Sequence, residues 1–403
     1  MSNKSSLSPS KRQYDKQIAL VLQGGGALGS YQAGVYQALA ESDYHPDWVA
    51  GISIGAINSA IIAGNAPKAR VAKLREFWEL VSSPSASWLD LPLAIWQDTI
   101  RRMGAMSALM FGQPGFFRPN LLRCWTAGVL PTSYYDTSDL KNTLERLVDF
   151  DRINAREMRF SVGAVNVRTG NFAYFDNARQ SIRPEHVMAS GALPPGFPAI
   201  EIDGEFYWDG GLVSNTPLQY ILETLPRHST LAFQVDVFAA QGELPSRLDN
   251  VSEREKDIRY SSRTRMGVRT FRYAHELRRN ISKLLEKLPA SLKDEPEVEF
   301  LKRAACQTTM DIVELIYRPE ACQGPSKDYE FLRATMARRW DQGLGDARAA
   351  LASAPWLEPA PAEVAVRTFD IHSNEKTKAK SAGEAAAKPS LQEPTPEKAT
   401  RHG

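Results

Sequence analysis

Cysteine is scarce in this chain: 403 residues carry three, Cys124, Cys306 and Cys322. An odd, scattered set excludes a disulfide framework and a cysteine-built zinc cluster, and it fits a reducing compartment. An excess of charge of one sign is missing too. With 49 basic against 47 acidic residues the net charge is +2, which argues against a dedicated nucleic-acid binder, so no nucleic-acid partner is expected. No apolar run approaches the roughly 20 residues of a membrane span, and the polar stretch Ser2 to Gln17 lacks the apolar core of a secretion signal. The expectation is a cytoplasmic protein whose membrane contact, if any, is peripheral. Histidine is also sparse. His45, His186, His228, His275, His372 and His402 are the full set, and none sits in a motif that suggests catalysis. There is no internal repeat.

What the chain does have is glycine concentrated at two turns near its start. Gly24, Gly25, Gly26, Ala27, Leu28 and Gly29 follow the apolar run Ile18 to Leu22, and Gly51, Ile52, Ser53, Ile54 and Gly55 follow Trp48, Val49 and Ala50. Each reads as a strand passing through a turn into a helix. The second has the G-x-S-x-G spacing of a nucleophile elbow, where flanking glycines permit the tight turn that presents a serine hydroxyl. The first gathers backbone N–H groups that suit an anion or a developing oxyanion. Gly24, Gly26 and Gly29 also satisfy G-x-G-x-x-G, which makes a dinucleotide fold the first rival. That fold wants a ribose-binding acid at the end of its second strand, and this chain has the serine turn there. The turns together predict a serine hydrolase whose oxyanion loop precedes its nucleophile, without metal or organic cofactor.

The rest of the chain organises around them. Residues 1–14 are expected to be a disordered leader and 15–250 a catalytic domain of alternating strands and helices, with parallel strands placing both turns at their carboxyl ends. Residues 84–131 interrupt the rhythm with Trp88, Trp96, Met103, Met106, Leu109, Met110, Phe116 and Phe117 among prolines and glycines. They read either as an ordinary packed insertion or as a lid or acyl-chain wall. Hairpins are predicted at 159–175 and 200–208, and sheet building is expected to close near residue 250.

A helical, basic extension is expected over 251–353. Arg254 to Lys287 holds 11 Lys or Arg against four Asp or Glu, with Ala274, Leu277, Ile281, Leu284, Leu285 and Leu288 at helical spacing. It reads as a solvated helix packed on the domain or as a surface that attracts anionic lipid head groups. Residues 308–317 read as a strand and 328–351 as a long helix. From 354 to 403 the Ala, Pro, Lys, Glu and Ser composition predicts a disordered tail.

A serine nucleophile needs a base, and the best placed carboxylate is Asp209, which ends a strand and is followed by Gly210 and Gly211. The order of the Gly loop, G-x-S-x-G, the loop Ala189 to Pro198 and then Asp209 to Gly211 resembles the patatin-like phospholipase family over roughly residues 16–240. Asp328 to Ala350 and the helical part around it look like the C-terminal extension of one bacterial branch. The resemblance implies a three-layer α/β/α fold and a Ser-Asp dyad of Ser53 as nucleophile and Asp209 as proton acceptor. It also implies an oxyanion hole from the N–H groups of Gly24, Gly25 and Gly26, supported by Gly29, Gly51, Gly55, Gly210 and Gly211, and a lipid or other acyl-ester substrate. One position departs from the family, which often has Arg or Lys where this chain has Leu28. Backbone donors survive that change, but electrostatic help for an anionic substrate weakens. Two rivals are an α/β-hydrolase with a Ser, Asp, His triad using His228 or His275, and a non-enzymatic lipid- or granule-surface binder. The sequence sets no oligomeric state.

Overall fold

The computed structural model describes residues 16–82, 94–120, 132–319, 323–361 and 364–371. Contacts divide the chain at Asp370, and the fold below lies in residues up to 369. In chain order its strands are β1 (Gln17–Leu22), β2 (Trp48–Gly51), β3 (Arg118–Pro119), β4 (Tyr135–Asp136), β5 (Arg159–Asn166), β6 (Phe172–Asp176), β7 (Ile200–Ile202), β8 (Glu205–Asp209), β9 (Thr230–Asp236), β10 (Met310–Ile316) and β11 (Val366–Phe369). The helices are α1 (Gly29–Ala40), α2 (Ile54–Ala63), α3 (Arg70–Leu80), α4 (Ala94–Phe111), α5 (Ser138–Leu147), α6 (Phe150–Asn154), α7 (Pro184–Ser190), α8 (Leu218–Glu223), α9 (Leu248–Glu286), α10 (Pro296–Ala304) and α11 (Arg333–Ser353).

Nine of these strands build one mixed sheet in the order β11-β10-β9-β1-β2-β5-β8-β7, with β6 paired to β5. Its centre is parallel, and β5 carries the antiparallel partners β6 and β8. Side chains alternate across a strand, so Ala19 and Val21 of β1 share a face with Trp48, Ala50, Ala232 and Ile312. Leu218 and Leu222 of α8 and Val268 and Phe271 of α9 pack there. Phe233, one residue along β9, packs instead against Tyr44 and Trp356. The α1–α11 crossing is close enough to require glycine. A Cβ at Gly34 would lie 1.9 Å from the Trp340 carbonyl oxygen, and one at Gly343 would lie 2.1 Å from that of Tyr31. The result is the expected three-layer α/β/α sheet with a helical C-terminal part.

Several expectations are corrected. Sheet building does not close near residue 250, because β10 and β11 extend it on the β9 side. The predicted tail is ordered over its first part. Trp356 is buried against Tyr44 and Phe233, and Arg367 of β11 pairs with the buried Asp311 at 2.6 Å. A single tryptophan and a four-residue strand are too little to register against an Ala/Pro-rich background. The helix expected from 328 begins at Arg333, because Leu332 is extended at its N-cap and Asp328 turns its carbonyl outward to accept from Ala27 N–H at 2.7 Å. On α9 the face on the sheet is Val268, Phe271 and His275, whereas Leu277 and Leu284 of the expected apolar stripe are exposed. The leader at 1–14, residues 84–93 and 121–131 of the expected insertion, and residues 362–363 and 372–403 of the tail lie outside the described residues.

Candidate active site

Leu22 at the end of β1 is in register with Gly51 at the end of β2, so the two glycine turns leave the same edge side by side. Ser53 sits between β2 and α2 with φ 56 and ψ −123. A non-glycine residue held there stores roughly 1–3 kcal/mol of strain. The glycines on either side leave room for so tight a turn. A Cβ at Gly51 would lie 2.2 Å from the Gly55 carbonyl oxygen, and one at Gly55 would lie 2.3 Å from that of Leu22. The Ser53 N–H is shared between the carbonyl and hydroxyl oxygens of Ser190, each at 3.1 Å, and the Ser190 hydroxyl donates to Gly163 O at 2.7 Å. Ser190 opens the loop whose letters the sequence displays, but its contact with Ser53 spans 137 positions and had no local signal.

Asp209 reaches the same point from the opposite direction. β5 continues past the end of β2, with Gly51 opposite Val162 and Ala164 opposite Asp209. The antiparallel β8 therefore overhangs the edge and runs back towards it, ending at Asp209. The Asp209 N–H donates to Ala192 O at 2.9 Å and its Oδ1 accepts from Gly211 N–H at 2.7 Å. Ser53 lines the same cavity as this carboxylate. Burial pushes the Asp209 carboxyl up to about 6, with the Gly211 bond and the nearby Ser53 side chain pulling the other way. A Cβ at Gly210 would lie 2.6 Å from Gly163 O, and one at Gly211 would lie 2.9 Å from Asn215 Oδ1. Gly210 is therefore needed for the chain to turn away, while Gly211 packs against the Asn215 side chain.

The first glycine turn differs from expectation in one donor. The Gly24 N–H already donates to Asn215 O at 3.1 Å, and the Ala27 and Leu28 N–H groups donate to Asp328 O and Gly25 O. Among the described residues, the N–H groups of Gly25 and Gly26 have no protein acceptor, and neither does that of Ile54, the residue after Ser53. Gly24 contributes close approach instead, since a Cβ there would lie 2.3 Å from Asn215 Oδ1 and 3.1 Å from Ser53 Cβ. Gly29 does the same at the α1–α2 crossing, where a Cβ would lie 2.6 Å from Ile54 Cγ1. Leu28 is fully buried.

Gly24, Gly25, Gly26, Ser53, Asp209 and Gly211 share one cavity of about 370 Å³. Its walls are largely apolar, and three parts of the chain supply much of them. Ala108, Leu109, Phe116 and Phe117 belong to the described part of the expected insertion, and Leu193, Pro194, Pro195 and Phe197 to the proline loop. Tyr260, Asp328, Tyr329 and Phe331 come from beyond residue 250. No described histidine lines this cavity. His275 is buried under α9 with Nε2 on the Thr308 carbonyl oxygen at 2.8 Å, and His186 takes the Arg183 N–H on Nδ1. Among the described residues no group of three or more His, Cys, Asp or Glu is placed to hold a metal ion.

Comparison with known sequences decides the family. A model described as patatin-like phospholipase matches residues 20–222, just over half of the chain, and one described as patatin phospholipase matches 258–363. The chain belongs to the patatin-like phospholipase family. Membership gives it, at the level of the family, the character of a lipid acyl hydrolase. The second match carries Tyr260, Asp328, Tyr329 and Phe331 of the cavity wall, so both matched segments of this patatin-like chain meet at Ser53.

Solved structures similar to this one include VipD from Legionella pneumophila, at 15% identity over 92% of this chain and 75% of that one, with a TM-score of 0.38. The ExoU-SpcU complex from the type III secretion system of Pseudomonas aeruginosa matches at 17% identity over 72% and 59%, with 0.30. Human GIVD cytosolic phospholipase A2 matches at 12% over 86% and 61%, with 0.37. The patatin-like chain thus spans about three fifths of the last two. No curated protein sequence matches it. Among the described residues no helix is long and apolar enough to cross a membrane.

Proposed function

We propose that this chain is a serine acyl hydrolase that cleaves lipid acyl esters in the manner of a phospholipase A or lysophospholipase, with Ser53 and Asp209 as a catalytic dyad. The observation that carries the reading is the convergence of Ser53, on its strained turn, and the buried Asp209 carboxylate on one apolar cavity. Asp209 takes the hydroxyl proton as Ser53 Oγ attacks the acyl carbonyl carbon, and the carbonyl oxygen becomes an oxyanion. The N–H groups of Gly25, Gly26 and Ile54 are the donors available to it, with the N-terminal dipole of α2 behind them. As the tetrahedral intermediate collapses, the ester C–O bond breaks and Asp209 returns the proton to the leaving alcohol. Water then loses a proton to Asp209, attacks the acyl-enzyme and releases the acid, and the proton returns to Ser53.

The test is turnover of a p-nitrophenyl ester series, phospholipids and lysophospholipids by the full chain. Ser53→Ala and Asp209→Asn are expected to lose activity while His228→Ala and His275→Ala retain it. Retained turnover in Ser53→Ala sinks the mechanism, and loss in either histidine variant with Asp209→Asn active favours a His-based triad.

We also propose peripheral contact with anionic membranes through 254–287. Arg265, Arg269 and Lys287 are exposed there beside Tyr273, Leu277 and Leu284. Other cations of the stretch serve the fold, since Arg254 binds the Ala239 carbonyl and Arg279 that of Val364. Binding to anionic vesicles should weaken as salt is added. Salt-insensitive binding, or none, overturns this.

A further inference from the structure

The oxyanion loop Gly24–Gly29 carries no charged side chain of its own, yet it lies against a buried cation from a distant part of the chain. Arg339, in the second turn of α11, is 2% exposed. Its Nη1 donates to the Ala27 carbonyl at 3.2 Å and to Glu330 O at 3.3 Å, while its Nη2 donates to Lys327 O at 2.9 Å and to Gln323 Oε1 at 3.0 Å. One guanidinium therefore joins the glycine loop to the 323–330 segment. That segment grips the loop a second time, because the Ala27 N–H donates to Asp328 O at 2.7 Å.

Ala27 is thus held at both its N–H and its carbonyl, directly after the two residues whose N–H groups remain open. Gly26 takes φ +54, and a Cβ there would lie 2.1 Å from Asp328 O, so the loop is pressed against the segment with no space between them. The segment has its own anchors on α9. Lys327 Nζ lies 2.6 Å from Asp257 and 3.2 Å from Glu253, and Lys256 Nζ lies 2.8 Å from Asp328. Beside Arg339, Trp340 Nε1 donates to Gln37 Oε1 of α1 at 2.7 Å. This fixes α11 to the helix into which the glycine loop runs.

We infer that Arg339 is a positioning residue for the oxyanion hole: it locks the Ala27 peptide to the 323–330 segment and so holds Gly25 and Gly26 in place on the cavity they share with Ser53. The inference rests on the Ser53–Asp209 reading above. A planar guanidinium serves here because it reaches several carbonyls at fixed angles, which a lysine ammonium on a flexible stem does not.

The test uses the full chain with Arg339→Lys, and with Gln323→Leu, which removes a single acceptor of the guanidinium and leaves the arginine in place. Turnover of p-nitrophenyl butyrate is normalised to folded protein, and amide hydrogen exchange is followed over residues 17–30. Removing one oxyanion donor costs about 10²–10³-fold in kcat. Displacing the loop in Arg339→Lys should cost about tenfold or more, with KM within twofold and with exchange faster at Ala27 but unchanged in β1. Gln323→Leu should move both readouts the same way by a smaller factor, and it decides the matter if Arg339→Lys does not fold. A folded variant with kcat within twofold of the parent, or with unchanged exchange at Ala27, overturns the inference. If the parent itself shows no Ser53-dependent turnover, the functional reading fails, and the exchange measurement still decides whether Arg339 locks the loop.

Discussion

The backbone N–H of Ser53 is held by both oxygens of Ser190, each 3.1 Å away. One residue thereby fixes the strained turn through its backbone and its side chain at once. Ser190→Ala removes the hydroxyl and its bond to Gly163 but leaves the carbonyl. A net loss of about 1 kcal/mol of stability is expected, together with a fall in kcat as the turn relaxes. Chemical denaturation and steady-state kinetics on the same preparation check both.

The pH profile should report Asp209. As a base it works only ionised, and burial raises its folded value to about 6. The rate kcat/KM should therefore climb about tenfold per pH unit below 6 and level off above it. A flat profile from pH 5 to 7 removes Asp209 from the proton transfer.

Stability carries the opposite sign. The carboxyl holds its proton in the folded chain up to about 6 but releases it near 3.8 when unfolded, so the folded state binds more protons between those values. The penalty for burying the charge is absent below the unfolded value and grows as pH rises to 6. At pH 7 Asp209→Asn should be inactive yet more stable than the parent, on the order of 1–3 kcal/mol, with the difference vanishing near pH 4. Equal stability at both pH values would falsify the burial argument.

Glycine substitutions should sort by what a Cβ meets. Gly55→Ala drives a methyl against the Leu22 carbonyl at 2.3 Å, whereas Gly267 on α9 and Gly345 on α11 have nothing within 4 Å. Gly55→Ala should abolish turnover and lower the Tm. Gly267→Ala and Gly345→Ala should each add about 0.5–1 kcal/mol and leave the kinetics unchanged.

Chain-length preference should respond to the aromatic wall. Phe117 packs on Phe116 and Phe197 at ring separations of 5.3 Å and faces the cavity. Phe117→Ala should shift the preferred p-nitrophenyl ester to a longer acyl chain while lowering stability by about 3–5 kcal/mol. An unchanged preference would place the acyl chain elsewhere.

What could be read from the sequence was local. Ser53 is visible because its turn needs glycine at 51 and 55, and the hairpin ending in Asp209 is visible because Asp203 and Gly204 mark its turn and Gly210 and Gly211 its end. Gly24 shows the limit of such reading. Its place in the loop is evident, but that its N–H is already taken depends on Asn215, 191 residues away. Asp328, Arg339 and Trp356 lay further out of reach, since each acts through a partner about 300 residues earlier and no periodicity marks such a meeting. The basic stretch misled for a related reason. Helical spacing identified an apolar stripe correctly as spacing, but the sheet chose Val268 and Phe271 instead.

The strands added after residue 250 have a consequence for any attempt to isolate the amino-terminal part. β10 pairs with β9 along all seven of its residues, from Thr230 to Asp236. A fragment ending near 250 would leave that strand with a row of open backbone donors and acceptors beside the hydrophobic face that Val268 and Phe271 normally cover. Such an edge recruits strands from other molecules, so the shortened protein should be recovered as soluble aggregates or inclusion bodies.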